Sequence, residues 1–266
     1  MTKLTSSYNF LNRKNLILES AAELLASENQ LNEIYLHYQP KYSTASGHLV
    51  GFEALSRWNH RILGEISPCE FIPLIEQTNL IHKFTKYIIE KSISDIGENL
   101  TEGILQPVAV NVSIQDLDQP GFVELIIGLL KKYKVPAELL EIEITERSIS
   151  QNIGLSIQRV MELQKIGLKV AIDDFGTGTS SIAYLADLPI DYIKLDTDLI
   201  NRIGDIRTGL IIKSIINMAS SIGIGLVAEG VESVNTFEKL KSFNCPTVQG
   251  FLFGRPSPRN IAFSNK

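Results

Sequence analysis

Two cysteines, Cys69 and Cys245, supply all the thiol chemistry in 266 residues, and they share neither a CxxC nor a Cys/His spacing. That excludes a disulfide framework and a thiolate metal site, and the expectation is a reducing, cytoplasmic setting. Long apolar runs are missing too. The longest, such as LIIGLL at 125–130, fall far short of the ~20 residues that a membrane-spanning helix requires. The N-terminal stretch MTKLTSSYNFLNRKNLILES lacks the charged-then-apolar pattern of a leader. The expectation is a chain with no membrane contact of its own, either whole or cut from a larger protein that carries sensor or membrane segments. Basic residues are outnumbered, 25 Lys and Arg against 30 Asp and Glu, for a formal net charge of -5 with no long basic block. That balance argues against a groove that tracks a nucleic-acid polymer. A small anionic ligand stays compatible with a site that is locally cationic or carries metal. Histidine is confined to His37, His48, His60 and His82, in the first third of the chain, so the acidic clusters contain none.

Apolar content is ample at 44%, enough for a sizeable core in one large domain or two small ones. It falls in short runs rich in β-branched residues: EIYLHYQP, LVGFEALSRW, PVAVNVS, LLEIEITE, KVAIDDFG, YIKLD, GLVAEGV and TVQGF. These predict eight strands. Between them lie helical patterns such as GFVELIIGLLKKY, IGLSIQRVMELQKIG and TGLIIKSIINMASSIG, the last with Ile211, Ile212, Ile215, Ile216 and Ala219 expected on one buried face. Strand then helix, repeated, is the pattern of a parallel sheet. Only KYSTASGHLV separates the first two strands, too little for a parallel crossover. The predicted fold is therefore α/β, a (βα)8 TIM-like barrel with an antiparallel first strand. No linker or low-complexity tract divides it. Residues 1–30, with the helical LILESAAELLA beginning inside them, read as a lead-in, and 31–266 as the domain proper.

Glu53, Asn111, Glu143, Asp173 with Asp174, Lys194, Glu229 and Gln249 fall near the C-terminal ends of seven different predicted strands. In a barrel those ends converge on one face, where such folds build their sites. Singly, each has a plainer explanation. Lys194 could pair with Asp196; GTGTSS lacks the third glycine and the lysine of a phosphate loop; the DFG of 174–176 has none of a kinase's companion motifs. Jointly, they form a set of oxygen donors with one lysine and no His or Cys, the preference of Mg2+ or Mn2+ rather than of zinc or copper. The adjacent Asp173 and Asp174 repel each other unless a proton, a cation or a nearby lysine offsets the charge. Asp173 bridging two ions, with Asp174 on the second, would do so and would suit a phosphodiester displacement. Successive strand residues face opposite ways, so the strand must bend there, and Gly176 and Gly178 permit that. A metal-assisted enolising enzyme with Lys194 as base is the alternative these residues allow.

These motifs identify a family. The chain resembles the EAL-domain phosphodiesterases that hydrolyse the bacterial messenger cyclic di-GMP. FEALSRW carries Glu53, Ala54 and Leu55, and the match runs from YQP (38–40) through PCEFIPLIE, VNVS, EITE, IDDFGTG, YIKLD and AEGVE to QGFLFGRP (249–256). The resemblance implies one metal on Glu53, Asn111, Glu143 and Asp173, and a second on Asp173, Asp174 and Glu229. Lys194 would orient or help deprotonate the attacking water, with Glu53 and Glu229 also acting at the reacting centre. It further implies ligand contacts from Gln39, Leu55, Arg57 and Gln249, the arginine reaching a phosphate, and support of the site by Glu146, Glu232 and Gln249. The implied product is linear pGpG and the implied assembly a homodimer, with the loop Phe175 to Ser181 coupling dimer face to metals. Sensor or GGDEF domains would be fused or in partner chains. Thr179 stands where the family usually has an aromatic residue, Ser56 where an apolar one is usual, and His60-Arg61 replaces a common His-Pro pair. None of these is an implied metal ligand. A cyclic di-GMP receptor with weak or no turnover is the alternative within the family.

Overall fold

Only residues 44–48 separate β1 (Ile34–Ser43) from β2 (Leu49–His60). The Ser43 N–H donates to the His48 carbonyl at 2.9 Å. Gly47 takes φ 69° with open space around it, so the chain reverses there without strain. The computed structural model describes residues 2–26, 33–146, 153–176 and 185–264. After the hairpin come β3 (Gly64–Ile66), β4 (Val108–Asn111), β5 (Leu140–Thr145), β6 (Lys169–Phe175), β7 (Tyr192–Leu195), β8 (Gly225–Ala228) and β9 (Thr247–Gln249). Described helices are α1 (Thr2–Ala26), α2 (Pro68–Glu76), α3 (Leu80–Thr101), α4 (Ile114–Leu117), α5 (Phe122–Tyr133), α6 (Ile153–Lys165), α7 (Thr197–Asn201), α8 (Ile206–Ser221), α9 (Val234–Ser242) and α10 (Arg259–Ala262).

The strands close into a ring in the order β1-β9-β8-β7-β6-β5-β4-β2, with β1 also paired to β2. Every pair from β2/β4 round to β8/β9 is parallel, and β1 lies antiparallel to β9. This is the expected TIM-like barrel with its first strand reversed. The short β3, which the sequence pattern does not reveal, adds to the far end of β2 through Trp58↔Ile66 and His60↔Gly64.

The chain divides into two compact units, one of Met1–Leu36 and Ser56–Ile88, the other of His37–Leu55 and Ile89–Lys266. In the first, Ile17, Ala21 and Leu24 form the buried stripe of α1. Phe71 of α2 packs edge-on to Trp58 at 5.4 Å and to Phe84 at 5.8 Å. His60 is buried and ties the elements together: Nε2 lies 2.9 Å from Ser20 Oγ, and Nδ1 accepts the N–H groups of Ile62 and Leu63. Two donors on Nδ1 put the ring proton on Nε2.

The second unit is the barrel. On β5, Leu140, Ile142 and Ile144 alternate with Glu141 and Glu143, and all five are buried. Ile144 is level with Ile172 of β6, and Ile172 with Ile193 of β7. One face of the strands is thus apolar, as expected beneath covering helices, while the other carries the charged residues. Helix α8 buries Ile212, Ile215, Ile216 and Ala219 as the periodicity predicts. Ile211 does not join them and is 54% exposed. Along α8 it sits about a quarter turn from the centre of the buried stripe.

Candidate active site

Four residues on four strands, and a fifth just past the end of another, place their charged groups around one point. Lys194 of β7 is 1% exposed, and its Nζ lies 2.6 Å from Glu143 Oε2, 2.7 Å from Glu229 Oε1, 3.2 Å from Asp173 Oδ2 and 3.4 Å from Glu53 Oε1. Glu53 comes from β2, Glu143 from β5, Asp173 from β6, and Glu229 directly follows β8. Glu53 is mid-strand in the long β2, yet it pairs with Ala109 and so stands two residues below the Asn111 that ends β4. One oxygen from each of Glu53, Glu143 and Asp173 falls within 4.8 Å of the others, and all three residues are buried. Burial lowers the Lys194 pKa, but Asp173, Glu143, Glu229 and Glu53 outweigh it, and the ammonium titrates well above its ordinary range. Burial pushes the Glu229 carboxyl well up, against the pull of Lys194 and with the neighbouring carboxylates adding to the rise.

Neutral amides hold the rim. Asn111 Nδ2 donates to Glu53 Oε1 at 2.8 Å, and Gln249 Nε2 donates to Glu53 Oε2 at 2.6 Å and to Gln39 Oε1 at 3.2 Å. Gln39 Nε2 in turn donates to the Gly254 carbonyl at 3.2 Å. Among the described residues, two buried oxygens here, Glu229 Oε1 and Gln249 Oε1, have no hydrogen-bond partner, though the first is ion-paired with Lys194. Beneath Glu143 lies a second cation that the motifs do not flag: Lys41 Nζ donates to Glu143 Oε1 at 2.8 Å and to Glu141 Oε1 at 3.0 Å. The period-two spacings Gln39/Lys41 and Glu141/Glu143 were the available signal, since alternate residues share a strand face.

The strand departs from regular geometry at the paired aspartates, as it would have to for both to serve one cluster. Register between β6 and β7 shifts between Ile172 and Phe175, and Asp174 itself takes the left-handed φ of 56°. Asp173 Oδ1 accepts the Asp174 N–H at 2.8 Å. The bend is thus taken at Asp174 and again at Gly176, φ 97°, where a Cβ would come 3.3 Å from Leu199. Asp173 joins the ring, whereas Asp174 is half-buried and lines a cavity of about 530 Å³ with Thr145, Gly176, Asp196, Leu199 and Arg202. Glu146 Oε2 accepts the Gly176 N–H at 2.9 Å.

The model for the family described as EAL domain matches residues 22–256. The chain belongs to the EAL domain family. Among curated relatives, cyclic di-GMP phosphodiesterase PA2567 of Pseudomonas aeruginosa is 33% identical over 241 residues, covering 90% of this chain and 40% of the relative. The structure of the PaMucR phosphodiesterase in complex with c-di-GMP superposes with a TM-score of 0.85 at 32% identity, over 91% of this chain and 99% of that one; MucR is likewise from Pseudomonas aeruginosa. An EAL domain protein from Listeria monocytogenes gives 0.77 at 31% identity, over 87% and 91%. The chain spans only 40%, 33% and 28% of the length of three curated relatives it matches.

In this EAL chain Leu55 and Glu232, also expected at the site, are not drawn into the ring. Leu55 is half-buried beyond Glu53 on β2. Arg57 belongs to the other compact unit, where its Nη1 donates to the Ser56 carbonyl at 2.8 Å. Glu232 is exposed. Gly178, Thr179 and the loop residues to Ser181 lie outside the described residues. Among the described residues, no helix is long and apolar enough to cross a membrane.

Proposed function

We propose that this chain is a metal-dependent phosphodiesterase that opens one phosphodiester of cyclic di-GMP and releases linear 5'-pGpG. The carrying observation is the buried ring of Glu53, Glu143 and Asp173 oxygens within 4.8 Å of one another. Its donor chemistry fits hard divalent cations. Among the described residues, Glu53, Glu143, Asp173 and Glu229 of the ring face two ammonium groups, Lys194 and a Lys41 that is itself shared with Glu141 outside the ring. Such an excess of buried negative charge is costly unless cations or protons offset it, and the raised Glu229 carboxyl is one symptom. Names borne by relatives, a cyclic di-GMP phosphodiesterase and a phosphodiesterase bound to c-di-GMP, support the substrate.

On this reading Glu53, Asn111, Glu143 and Asp173 hold one Mg2+ or Mn2+, and Asp173, Asp174 and Glu229 a second. When bound, such ions act as Lewis acids on phosphoryl oxygen and lower the pKa of water. Lys194 donates to the oxygen of the attacking water, orienting it and favouring its deprotonated form. A lysine general base, as the enolising alternative needs, requires a neutral amine, which four carboxylates oppose. Gln39, Leu55, Gln249 and Arg57 contact the dinucleotide, with Arg57 on a phosphate. Glu146 braces the loop through the Gly176 N–H, and Glu232 supports it. A homodimer, a cytoplasmic setting, and fused or partner sensor and GGDEF domains belong to the same reading; MucR, of which this chain covers 33%, is called a bifunctional diguanylate cyclase/cyclic di-GMP phosphodiesterase.

The test is incubation of the purified chain with cyclic di-GMP and Mg2+ or Mn2+, with a chelated control, followed by chromatography. Metal-dependent linear pGpG is the expected product. Binding without product overturns the phosphodiesterase in favour of a receptor, and neither binding nor product overturns the substrate.

A further inference from the structure

We propose that Lys41 is a positioning residue that fixes which oxygen of Glu143 faces the acidic ring, an inference that rests on the metal-dependent reading above. Glu143 is fully buried, and its two oxygens are held by different cations: Oε1 by Lys41 Nζ at 2.8 Å, Oε2 by Lys194 Nζ at 2.6 Å. The terminal torsion of a glutamate is broad and soft, so an unrestrained carboxylate can turn either oxygen, or both, toward a cation. With Oε1 pinned to Lys41, Oε2 alone is presented beside Glu53, Asp173 and Lys194. Glu143 then offers the ring a single oxygen in a set direction.

Lys41 reaches this place because β1 is built to deliver it. Strand alternation turns Gln39 and Lys41 to the same face, and both are buried, Lys41 to 5% exposure. Its Cα partner on β9 is Gln249, whose amide holds Glu53 Oε2 at 2.6 Å. One rung of the seam between β1 and β9 thus restrains two carboxylates of the ring. A plainer role exists for Lys41, as the counter-charge of the buried Glu141 at 3.0 Å. The two roles separate experimentally: a counter-charge is dispensable once Glu141 is neutral, whereas a clamp on Glu143 is not.

The experiment compares the wild-type chain, Glu141→Gln, and the charge-balanced double variant Lys41→Met/Glu141→Gln. Removing Lys41 alone would strand two buried carboxylates, which is why the double variant carries the test. Mn2+ affinity is read by calorimetry, folding by the thermal midpoint, and kcat and KM with cyclic di-GMP. The expected result is a folded double variant with Mn2+ affinity weakened about 10- to 100-fold, as for lost partners of metal ligands. Its kcat should fall while KM for the dinucleotide stays near wild type, and Glu141→Gln alone should leave Mn2+ affinity near wild type. A folded double variant with wild-type Mn2+ affinity and kcat overturns the proposal. If the double variant does not fold, a crystal structure of the wild type with Mn2+ decides. Glu143 ligating through Oε2 with Oε1 still on Lys41 supports the clamp, and ligation through both oxygens overturns it. A wild-type chain that neither binds Mn2+ nor cleaves cyclic di-GMP overturns the metal-dependent reading itself, and the proposal with it, before any variant is compared.

Discussion

An ammonium has three N–H bonds, and Lys194 has four carboxylates within 3.4 Å. The surplus makes it at once the ring's internal counter-charge and a donor with a choice of partners. Replacing it with methionine keeps most of the volume and removes only the charge and the donors. With Mn2+ present to balance the carboxylates, Lys194→Met should lower kcat by at least 100-fold while KM for cyclic di-GMP changes by less than about threefold, because the water and not the dinucleotide loses its donor. Equal losses in both parameters would assign Lys194 to substrate binding instead. Lysine and carboxylate at the ends of predicted strands were legible because alternation and β-branched runs locate the strands. Lys41 and Glu141 were not, since a lone lysine on a strand reads as a solvated side chain until the partner that buries it is known. Arg202, which lines the cavity beside Asp174, follows a helix that no motif announces.

Strand β6 carries two adjacent aspartates, both proposed as metal ligands. An ordinary strand would turn Asp173 and Asp174 to opposite faces; a register shift and a φ of 56° at Asp174 interrupt the regular strand there. Glycines 176 and 178 looked sufficient for the bend, yet Asp174 shares it with Gly176, which is tolerable because Asp and Asn enter the left-handed region more readily than most residues. Asp174→Asn should therefore leave the thermal midpoint within a degree or two of wild type while lowering metal-dependent turnover at least tenfold. Wild-type turnover in that variant would remove Asp174 from the second metal. The β2–β3 hairpin carries a different dependence. His60 is held neutral, its pKa lowered by burial against the raising influence of Glu33, with Arg61 and Arg13 adding to the depression. The unfolded chain takes up a proton near pH 6.5 and the folded chain only at lower pH. Stability from this residue is therefore complete above about 6.5 and declines as pH falls through that window. An NMR titration should find the His60 pKa below 6.5, and a value at or above it would contradict the neutral, doubly accepting Nδ1.

Across the molecule, the barrel was readable from its alternation of strands and helices, and the reversed first strand from the shortness of one connection. The extra strand β3 was not, because three residues following a turn carry no periodicity. Nor was the exposure of Ile211, which sits at the edge of the apolar stripe of α8 rather than at its centre. The ring itself closes between the first and last strands. Gln249 donates to Gln39 across 210 positions of sequence and to Glu53 across 196, while Thr44 Oγ1 donates to the Cys245 carbonyl beside the same seam. Contacts so distant in sequence are slow to form, since the chain entropy of a long loop is lost before they contribute. During synthesis, then, the acidic strands emerge from the ribosome well before β9 exists to complete the enclosure. Until β9 is made, the nascent chain carries its carboxylates without the glutamine that fastens Glu53, and the enclosure is completed only when that last barrel strand pairs.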